Sequence, residues 1–299
     1  MYKTDSVGYS VDLSVFYSAQ SRVISSALKD QGNVSPGELT ALLALYEVKR
    51  PVSAESLANF LFYDIRTVRN ILLKLEDLEL VSKTSDITDG RFFLAHLTNA
   101  GTSASIQLAC NVYNAVKEAF WEALPEDDFQ KSMKINMRKC LNNLRGFPVD
   151  PFGEYPETDL SLEVDHLIYW RVAQERWGAI TKQVAGLSHL DSTILQYICG
   201  HEGSCSKDVA HDLIVPKSAV SLGIHRLIDA GLVTDRADAY DGRSRSLFPT
   251  KKGKTICRKL FSALDDTTRQ FHMGVDKTDL DIIRAWYMRM IANMRTASD

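Results

Sequence analysis

Apolar residues recur along this 299-residue chain with two different periods, and the change from one to the other predicts its elements. In the first half, spacings of three and four predict a series of short helices. One of them follows Asp64 and turns Val68 and Leu72 inward. The spacing then changes to two, which predicts hairpin strands at 80–84 and 91–97. Two longer amphipathic helices are expected after the hairpin.

Helix start signals support this assignment. Ser35-Pro36-Gly37-Glu38 has the residue types of a capping box, with Pro at the first helical position. Ser53 and Asp64 precede the next two apolar stripes and are expected to be N-cap residues. The predicted order in the first half is therefore four helices, a hairpin and two further helices.

This arrangement returns 152 positions later along the chain. The segment Asp86-Ile87-Thr88-Asp89-Gly90-Arg91 corresponds to Asp238-Ala239-Tyr240-Asp241-Gly242-Arg243. A repeat of about half the chain indicates two copies of one domain and not a solenoid of short units. The offset also holds, without a gap, for Thr98 and Thr250, Gly101 and Gly253, Leu80 and Leu232, and Val81 and Val233.

The domain boundaries follow from this repeat and from composition. A stretch dense in Pro and Gly separates the copies and has the composition of a semi-rigid linker. We predict a first domain at 1–147, a linker at 148–157 and a second domain at 158–299.

Composition narrows the functional classes. The chain is 45% hydrophobic and 24% charged, with a net charge of −3, which is typical of a soluble globular protein. It has no apolar run of the roughly 20 residues that a membrane helix needs, and Met1-Tyr2-Lys3 opens no signal peptide. We therefore expect a cytoplasmic protein that does not bind membranes.

Chemistry-bearing residues show no catalytic or metal-binding pattern. The five cysteines include no CxxC pair, and the histidines lack the spacing of metal ligands. There is no G-x-S-x-G, no phosphate-binding glycine loop and no H-E-x-x-H. We expect a protein that is not an enzyme and uses no metal and no cofactor.

Short helices followed by a hairpin are typical of a winged helix-turn-helix, whose last helix fits the DNA major groove. Both halves resemble the MarR family of bacterial transcription regulators, over about 10–145 and 158–296. The family's wing pattern D-x-x-D-x-R is present at 86–91 and 238–243, and its L-T-x-x-G follows at 97–101. In the second half Pro249 replaces the Leu, which a strand end tolerates.

The resemblance implies a fold that is mainly α with small β-hairpins (α+β). Tandem winged helix-turn-helix domains would form an intramolecular pseudo-dimer through long terminal helices. The function implied is a sequence-specific regulator of transcription, a ligand-responsive repressor. It would bind double-stranded DNA at a pseudo-palindromic or asymmetric operator, as a monomer acting as a pseudo-dimer. The alternative is a degenerate winged-helix protein acting as a protein-interaction or co-regulator module.

The resemblance also assigns candidate DNA-binding residues on the recognition helices and wings. The first recognition helix has more side chains that can read bases than the second, whereas the second wing has more basic residues than the first. We therefore expect an asymmetric operator, with base readout stronger in the first half and phosphate contact stronger in the second. The candidates are Arg66, Thr67, Arg69, Asn70, Lys74, Arg91, Lys217, Ser218, Ser221, His225, Arg236, Arg243 and Arg245.

Two departures within the second recognition helix change its expected readout. Leu222 stands where the family usually has a polar or basic residue, so it either contacts a thymine methyl or packs locally. Gly223 lies in the middle of the helix, where glycine costs about 1 kcal/mol of helix propensity. The second helix is thus expected to read bases more weakly.

Regulators of this family often respond to small aromatic or carboxylic ligands. Aromatic residues accumulate on the long helix that opens the second half, at Tyr169, Trp170 and Trp177. These three are candidate ligand-binding residues, and packing in a helical core is the alternative that the sequence favours.

Overall fold

The computed structural model describes residues 9–29, 34–85, 93–121, 140–141, 143, 161–237 and 245–297. This part of the chain is mainly helical, with two small antiparallel sheets. The elements before residue 122 are α1 (Val11–Lys29), α2 (Pro36–Val48), β1 (Val52–Ser53), α3 (Ala54–Leu61), α4 (Ile65–Asp77), β2 (Val81–Ser85), β3 (Phe93–Leu97) and α5 (Asn99–Val116), continued by a π-helical turn (Lys117–Trp121). Those from residue 161 onward are α6 (Ser161–Ala185), α7 (His189–Gly200), α8 (Ser206–Asp212), α9 (Lys217–Asp229), β4 (Val233–Ala237), β5 (Arg245–Pro249), α10 (Lys251–Phe271) and α11 (Lys277–Ala297).

The chain divides into two compact units. One, here called the central unit, is Gln20–Val172, and the other, the terminal unit, combines Met1–Ala19 with Ala173–Asp299. Both divisions fall inside long helices, α1 and α6. The linker predicted at 148–157 and both predicted domain ends beside it lie outside the described residues, so those boundaries stay a prediction.

The central unit builds its core from α2, α3, α4 and the hairpin. Leu43, Leu57 and Leu75 are completely buried, and Val81 and Ala95 of the strands close the core from the sheet side. Strand β3 lies between β1 and β2 and pairs antiparallel with both. Burial of these apolar faces is the main favourable free energy that fixes α4 against the hairpin.

The terminal unit has its own core around α7, α8 and α9. Ile194, Val220 and Leu260 are fully buried, and the start of α1 adds Val15 to the same cluster. The N–H of Tyr9 donates to Asp265 Oδ1 at 3.0 Å, so the segment before α1 is anchored within this unit. Burial raises the pKa of the Tyr9 hydroxyl to about 12.

The local geometry of the two units matches at an offset of 152. Strand pairing is the same, because Val81 faces Leu97 and Val233 faces Pro249. The pairing of β1 with β3 at Ser53 returns as an isolated bridge between Cys205 and Ser246. Left-handed backbone also recurs at matching positions, namely Phe62 and Ile214, and Glu79 and Gly231.

Several sequence predictions are confirmed by local geometry. The capping box is formed: Ser35 Oγ accepts from the N–H of Glu38, and the Ser35 N–H donates back to Glu38 Oε2. Ser53 and Asp64 are N-caps as expected. The short strand β1 was not expected from the pattern, since two residues are too few to show a period.

None of the helices in the described residues is both long and apolar enough to cross a bilayer.

Candidate nucleic-acid interface

The predicted recognition helix of the central unit is α4, and it begins at an N-cap with two side-chain hydrogen bonds. Asp64 Oδ1 accepts from the backbone N–H of Thr67 at 2.9 Å, and Asp64 Oδ2 accepts from the Thr67 hydroxyl at 2.5 Å. The hydrogen bond from the hydroxyl holds the pKa of the Asp64 carboxyl below its usual range. The hydroxyl hydrogen of Thr67 is therefore used in the cap, and the DNA contact of Thr67 stays a prediction.

The outward face of α4 carries three of the predicted residues. Arg66, Arg69 and Asn70 are exposed, and none of them has a side-chain hydrogen bond or ion pair to another residue that the structure describes. Leu73, 52% exposed, continues this face toward the end of the helix. The arrangement leaves two guanidinium groups and one amide available for an external partner.

Lys74 is used differently. Its Nζ lies 3.0 Å from Oε2 of the largely buried Glu38. Because Glu38 also closes the capping box of α2, this ion pair ties α4 to the start of α2. Lys74 keeps an exposed side chain, but its charge is already matched within the unit.

The first wing combines charge pairing with an exposed aromatic ring. Lys83 Nζ contacts Glu76 Oε2 at 2.5 Å, which links β2 to the end of α4. Phe93, at the start of β3, is 59% exposed. Arg91 and Arg243, the predicted wing-tip residues, both lie outside the described residues.

The predicted recognition helix of the terminal unit, α9, presents a face with few charges. Lys217, Ser218, Ser221 and His225 are exposed as predicted. Leu222 is also exposed, at 60%, so it does not pack locally. Pro216 precedes the helix and provides no side-chain cap.

Gly223 faces the core, not the solvent. A Cβ at this position would lie 2.6 Å from Ile194 Cδ1 and 2.9 Å from Asp191 Oδ1. Glycine at this position thus permits α9 to approach α7 closely. The sequence pattern did not reveal this reason for the glycine.

An ion pair missed by the sequence holds α9 in place. Arg226 donates through Nε and Nη2 to the two carboxylate oxygens of Asp191, at 2.9 and 2.7 Å. Asp191 is buried and belongs to α7, and its carboxylate raises the pKa of the Arg226 guanidinium. Bidentate geometry of this kind fixes direction as well as distance, so the exposed face of α9 has a defined orientation.

The second wing holds its two described arginines with partners of its own. Arg245 on β5 pairs with Asp235 on β4, and this hydrogen bond lowers the pKa of the Asp235 carboxyl. The guanidinium of Arg236 lies over the Phe248 ring, 4.9 Å from its centroid. Both arginines remain exposed and can still meet an anionic partner.

A cleft of about 500 Å³ brings helix and wing together in the terminal unit. Ser221 and His225 line it from α9, Arg245 lines it from β5, and Lys207 lines it from α8. Three of the predicted site residues, Ser221, His225 and Arg245, therefore share one concave surface. Lys207 was missed by the sequence analysis because it precedes the recognition helix.

The candidate ligand residues are core residues in the structure. Tyr169 and Trp170 are buried in the part of α6 that belongs to the central unit, and Trp177 is buried in the part that belongs to the terminal unit. Trp177 Nε1 donates to Thr268 Oγ1 at 3.2 Å, and its ring meets Tyr9 edge-on. Their contacts explain their presence by packing, and a ligand role stays a prediction.

Metal-binding geometry is not found in the part of the chain that the structure describes. No three His, Cys, Asp or Glu side chains there are grouped so that they could hold an ion.

Comparison with known proteins gives likeness in structure only. No protein-family model matches the chain, and no curated protein matches it. The chain is similar to the transcriptional regulator SlyA, with 18% identity and a TM-score of 0.40, over 47% of this chain and 96% of the other. A MarR protein from Peptoclostridium difficile DA00132 is 20% identical with a TM-score of 0.42, and the match covers 48% of this chain and 92% of the other. The protein in the S. aureus MepR–DNA complex is 17% identical with a TM-score of 0.39, and the match covers 46% of this chain and 99% of the other.

Proposed function

We propose that this chain is a sequence-specific, double-stranded DNA-binding regulator of transcription of the MarR type, and not an enzyme. The observation that carries the proposal is the outward face of α4. Arg66, Arg69 and Asn70 project from the second helix of a helix-turn-helix beside a hairpin wing. Arginine and asparagine are the residues that read guanine and adenine edges in two-pronged fashion.

The duplication supports two DNA-reading units in one polypeptide. Strand registers, left-handed positions and the threonine caps of the helices after the wings match at an offset of 152, so the surroundings of α9 resemble those of α4, apart from the side-chain cap that α9 lacks. We propose that the long terminal helices pair as in a dimer and that one monomer reads both half-sites. One helical turn of DNA, about 34 Å, would then separate the half-site centres.

The first experiment is a selection of duplexes from a random 30-bp library by the full chain. We expect enrichment of related sequences with two half-sites. The double variant Arg66→Ala with Arg69→Ala should bind the selected duplex about 30-fold more weakly or worse, since each base contact is worth about 1–3 kcal/mol. The matched control, Arg176→Ala with Lys182→Ala, removes two exposed charges from α6 and should change affinity little.

The size of the complex tests the pseudo-dimer. One chain per selected duplex, measured by sedimentation, is the expected ratio. Two chains per duplex would contradict the intramolecular pseudo-dimer while leaving DNA binding intact. Release by a small aromatic or carboxylic ligand and action as a repressor remain proposals that rest on the family resemblance.

A protein-interaction module is the second candidate, and exposed apolar groups favour it. Leu73 and Phe93 both belong to the central unit, and both are more than half exposed. Such groups are suited to a protein partner as well as to base methyls. A chain that enriches no duplex at low salt would favour this candidate over DNA binding.

A further inference from the structure

The exposed face of α9 is chemically different from that of α4. At the register position of Asn70, 152 residues further on, α9 has Leu222. Its side chain is 60% exposed and is the one large apolar group on the outward face of this fully described helix. A leucine in that position contributes little to the core of its own unit, because most of its surface is left in water.

The exposed neighbours of Leu222 include two small hydroxyl side chains, and its charged neighbour on the next turn, Arg226, is already paired with Asp191. Ser218 and Ser221 are the exposed neighbours on the preceding turn and beside it, and His225 follows on the next turn. Hydroxyl groups of this size leave room for a close approach to a flat base edge. The carboxylate of Asp229 lies at the far end of the helix, two turns away.

The direction in which Leu222 points is fixed by the opposite side of the helix. Gly223 rests against Ile194 and Asp191, and Arg226 holds Asp191 in two-pronged fashion. These contacts prevent α9 from rolling, so that Leu222 stays outward. An apolar side chain that is both exposed and held in place is a preorganised contact.

We propose that Leu222 is a specificity-determining residue that reads the C5 methyl of a thymine in the major groove. The inference rests on the proposed DNA-binding function. The thymine methyl is the apolar group that distinguishes a base edge in this groove. Removing it from water against Leu222 is worth about fourfold in affinity, the usual value for one buried methyl-sized group.

The same type of base pair can be read by both helices, one in each half-site. An A·T pair presents the adenine N6 and N7 and the thymine methyl together in the major groove. Asn70 would read the adenine of such a pair in one half-site, whereas Leu222 would read the thymine methyl of the corresponding pair in the other. A pseudo-palindromic operator is thereby read with different chemistry on its two sides.

The test uses the full chain and the duplex selected from the 30-bp library. Each thymine is replaced singly by deoxyuridine, which keeps base pairing and removes only the methyl. We expect about fourfold weaker binding for a thymine in one half-site. With the Leu222→Ala chain the same replacement should have no effect. The control chain Ile106→Ala removes an exposed aliphatic side chain from α5 and should keep the fourfold loss.

A second variant gives the same proposal an independent readout. Leu222→Asn copies the residue of α4, so it should lose sensitivity to deoxyuridine and gain sensitivity to 7-deazaadenine in the paired strand. The proposal is overturned if no thymine shows the loss, or if the Leu222→Ala chain shows it equally. Failure to enrich any duplex overturns the proposed function and this inference with it, and is a distinct result from bound DNA that is insensitive to methyl removal.

Discussion

Gly253 lies directly beneath the carbonyl oxygen of Leu232: a Cβ added to Gly253 would stand 2.0 Å from that oxygen. In the central unit Gly101 has the same relation to Leu80, at 1.8 Å. The preceding threonine completes the arrangement, because Thr250 caps α10 and its N–H also donates to the Leu232 carbonyl oxygen. The T-x-x-G pattern is thus the joint between recognition helix, wing and following helix.

Alanine at either glycine should disrupt this joint. The obstacle is backbone and cannot move aside, so Gly253→Ala and Gly101→Ala should each destabilise the chain by about 3 kcal/mol or more, the upper end of overpacking costs. Urea unfolding monitored by circular dichroism measures the change. The control Gly178→Ala lies in a helix with open space around it and should stabilise by up to about 1 kcal/mol. Equal effects at the three positions would contradict the close-approach explanation.

Acid should destabilise the chain between pH 6.5 and 4. Burial lowers the pKa of His189 and of His272 to about 4, whereas an unfolded histidine titrates near 6.5. In that window the unfolded state binds more protons, so the free energy of unfolding falls as pH is lowered. Each histidine contributes up to about 3 kcal/mol to this decrease in the free energy of unfolding.

A variant can isolate the contribution of one ring. Both nitrogens of His189 are buried without a hydrogen-bond partner among the described residues, and the ring stacks on Trp177. His189→Met should therefore flatten the loss of stability between pH 6.5 and 4, measured by urea midpoints. The control chain His225→Gln, which replaces an exposed histidine, should keep the full loss of stability over this pH range. A His189→Met chain with unchanged pH dependence would show that this ring is not neutral in the folded state.

The Arg226–Asp191 pair should matter for folding and for DNA affinity together. Arg226→Ala leaves a buried carboxylate without its partner, so both the urea midpoint and the affinity for the selected duplex should decrease. Removing the carboxylate as well, in Arg226→Ala with Asp191→Ala, should recover part of the stability. Losses that simply add in the double variant would mean that the two side chains act independently.

Wing charge should set the salt dependence of binding. Asp235 neutralises Arg245, so Asp235→Asn should strengthen DNA binding and steepen its log–log dependence on salt by up to about one unit. Replacing Arg243 and Arg245 together should flatten that dependence by up to about two units. Titrations at several salt concentrations measure both changes. An unchanged slope in both variants would place the wing away from the phosphates.

The two half-sites should differ in information content. α4 offers two arginines and an asparagine, whereas α9 offers serines and Leu222. Sequences from the duplex selection should therefore be more constrained in one half than in the other. Equal constraint in both halves would contradict the asymmetric readout.

Local elements could be predicted from the sequence because they depend on near neighbours. The change of period after α4, the capping box at Ser35 and the first hairpin strand follow from side-chain spacing and cap chemistry over a few residues. The second strand of the first hairpin was predicted at 91–97; the structure has it at Phe93–Leu97, and residues 91 and 92 lie outside the described part of the chain. The exposed positions Arg66, Arg69 and Asn70 were predicted for the same reason.

Which of the predicted residues are available was decided by tertiary structure. Lys74 pairs with Glu38, and Arg226 pairs with Asp191, 36 and 35 positions away in the chain. Gly223 is explained by a helix contact with Ile194. No sequence period encodes such contacts, because they arise only when separate helices pack.

The sequence by itself thus determined the repeated helices and wings and the chemical difference between Asn70 and Leu222. Tertiary structure decided that Leu222 is exposed, that Trp177 is core, and that the compact units divide inside α1 and α6. The physical reason is one of range. Helical and strand periods are set within a few residues, whereas burial and ion pairing depend on surfaces brought together from distant parts of the chain.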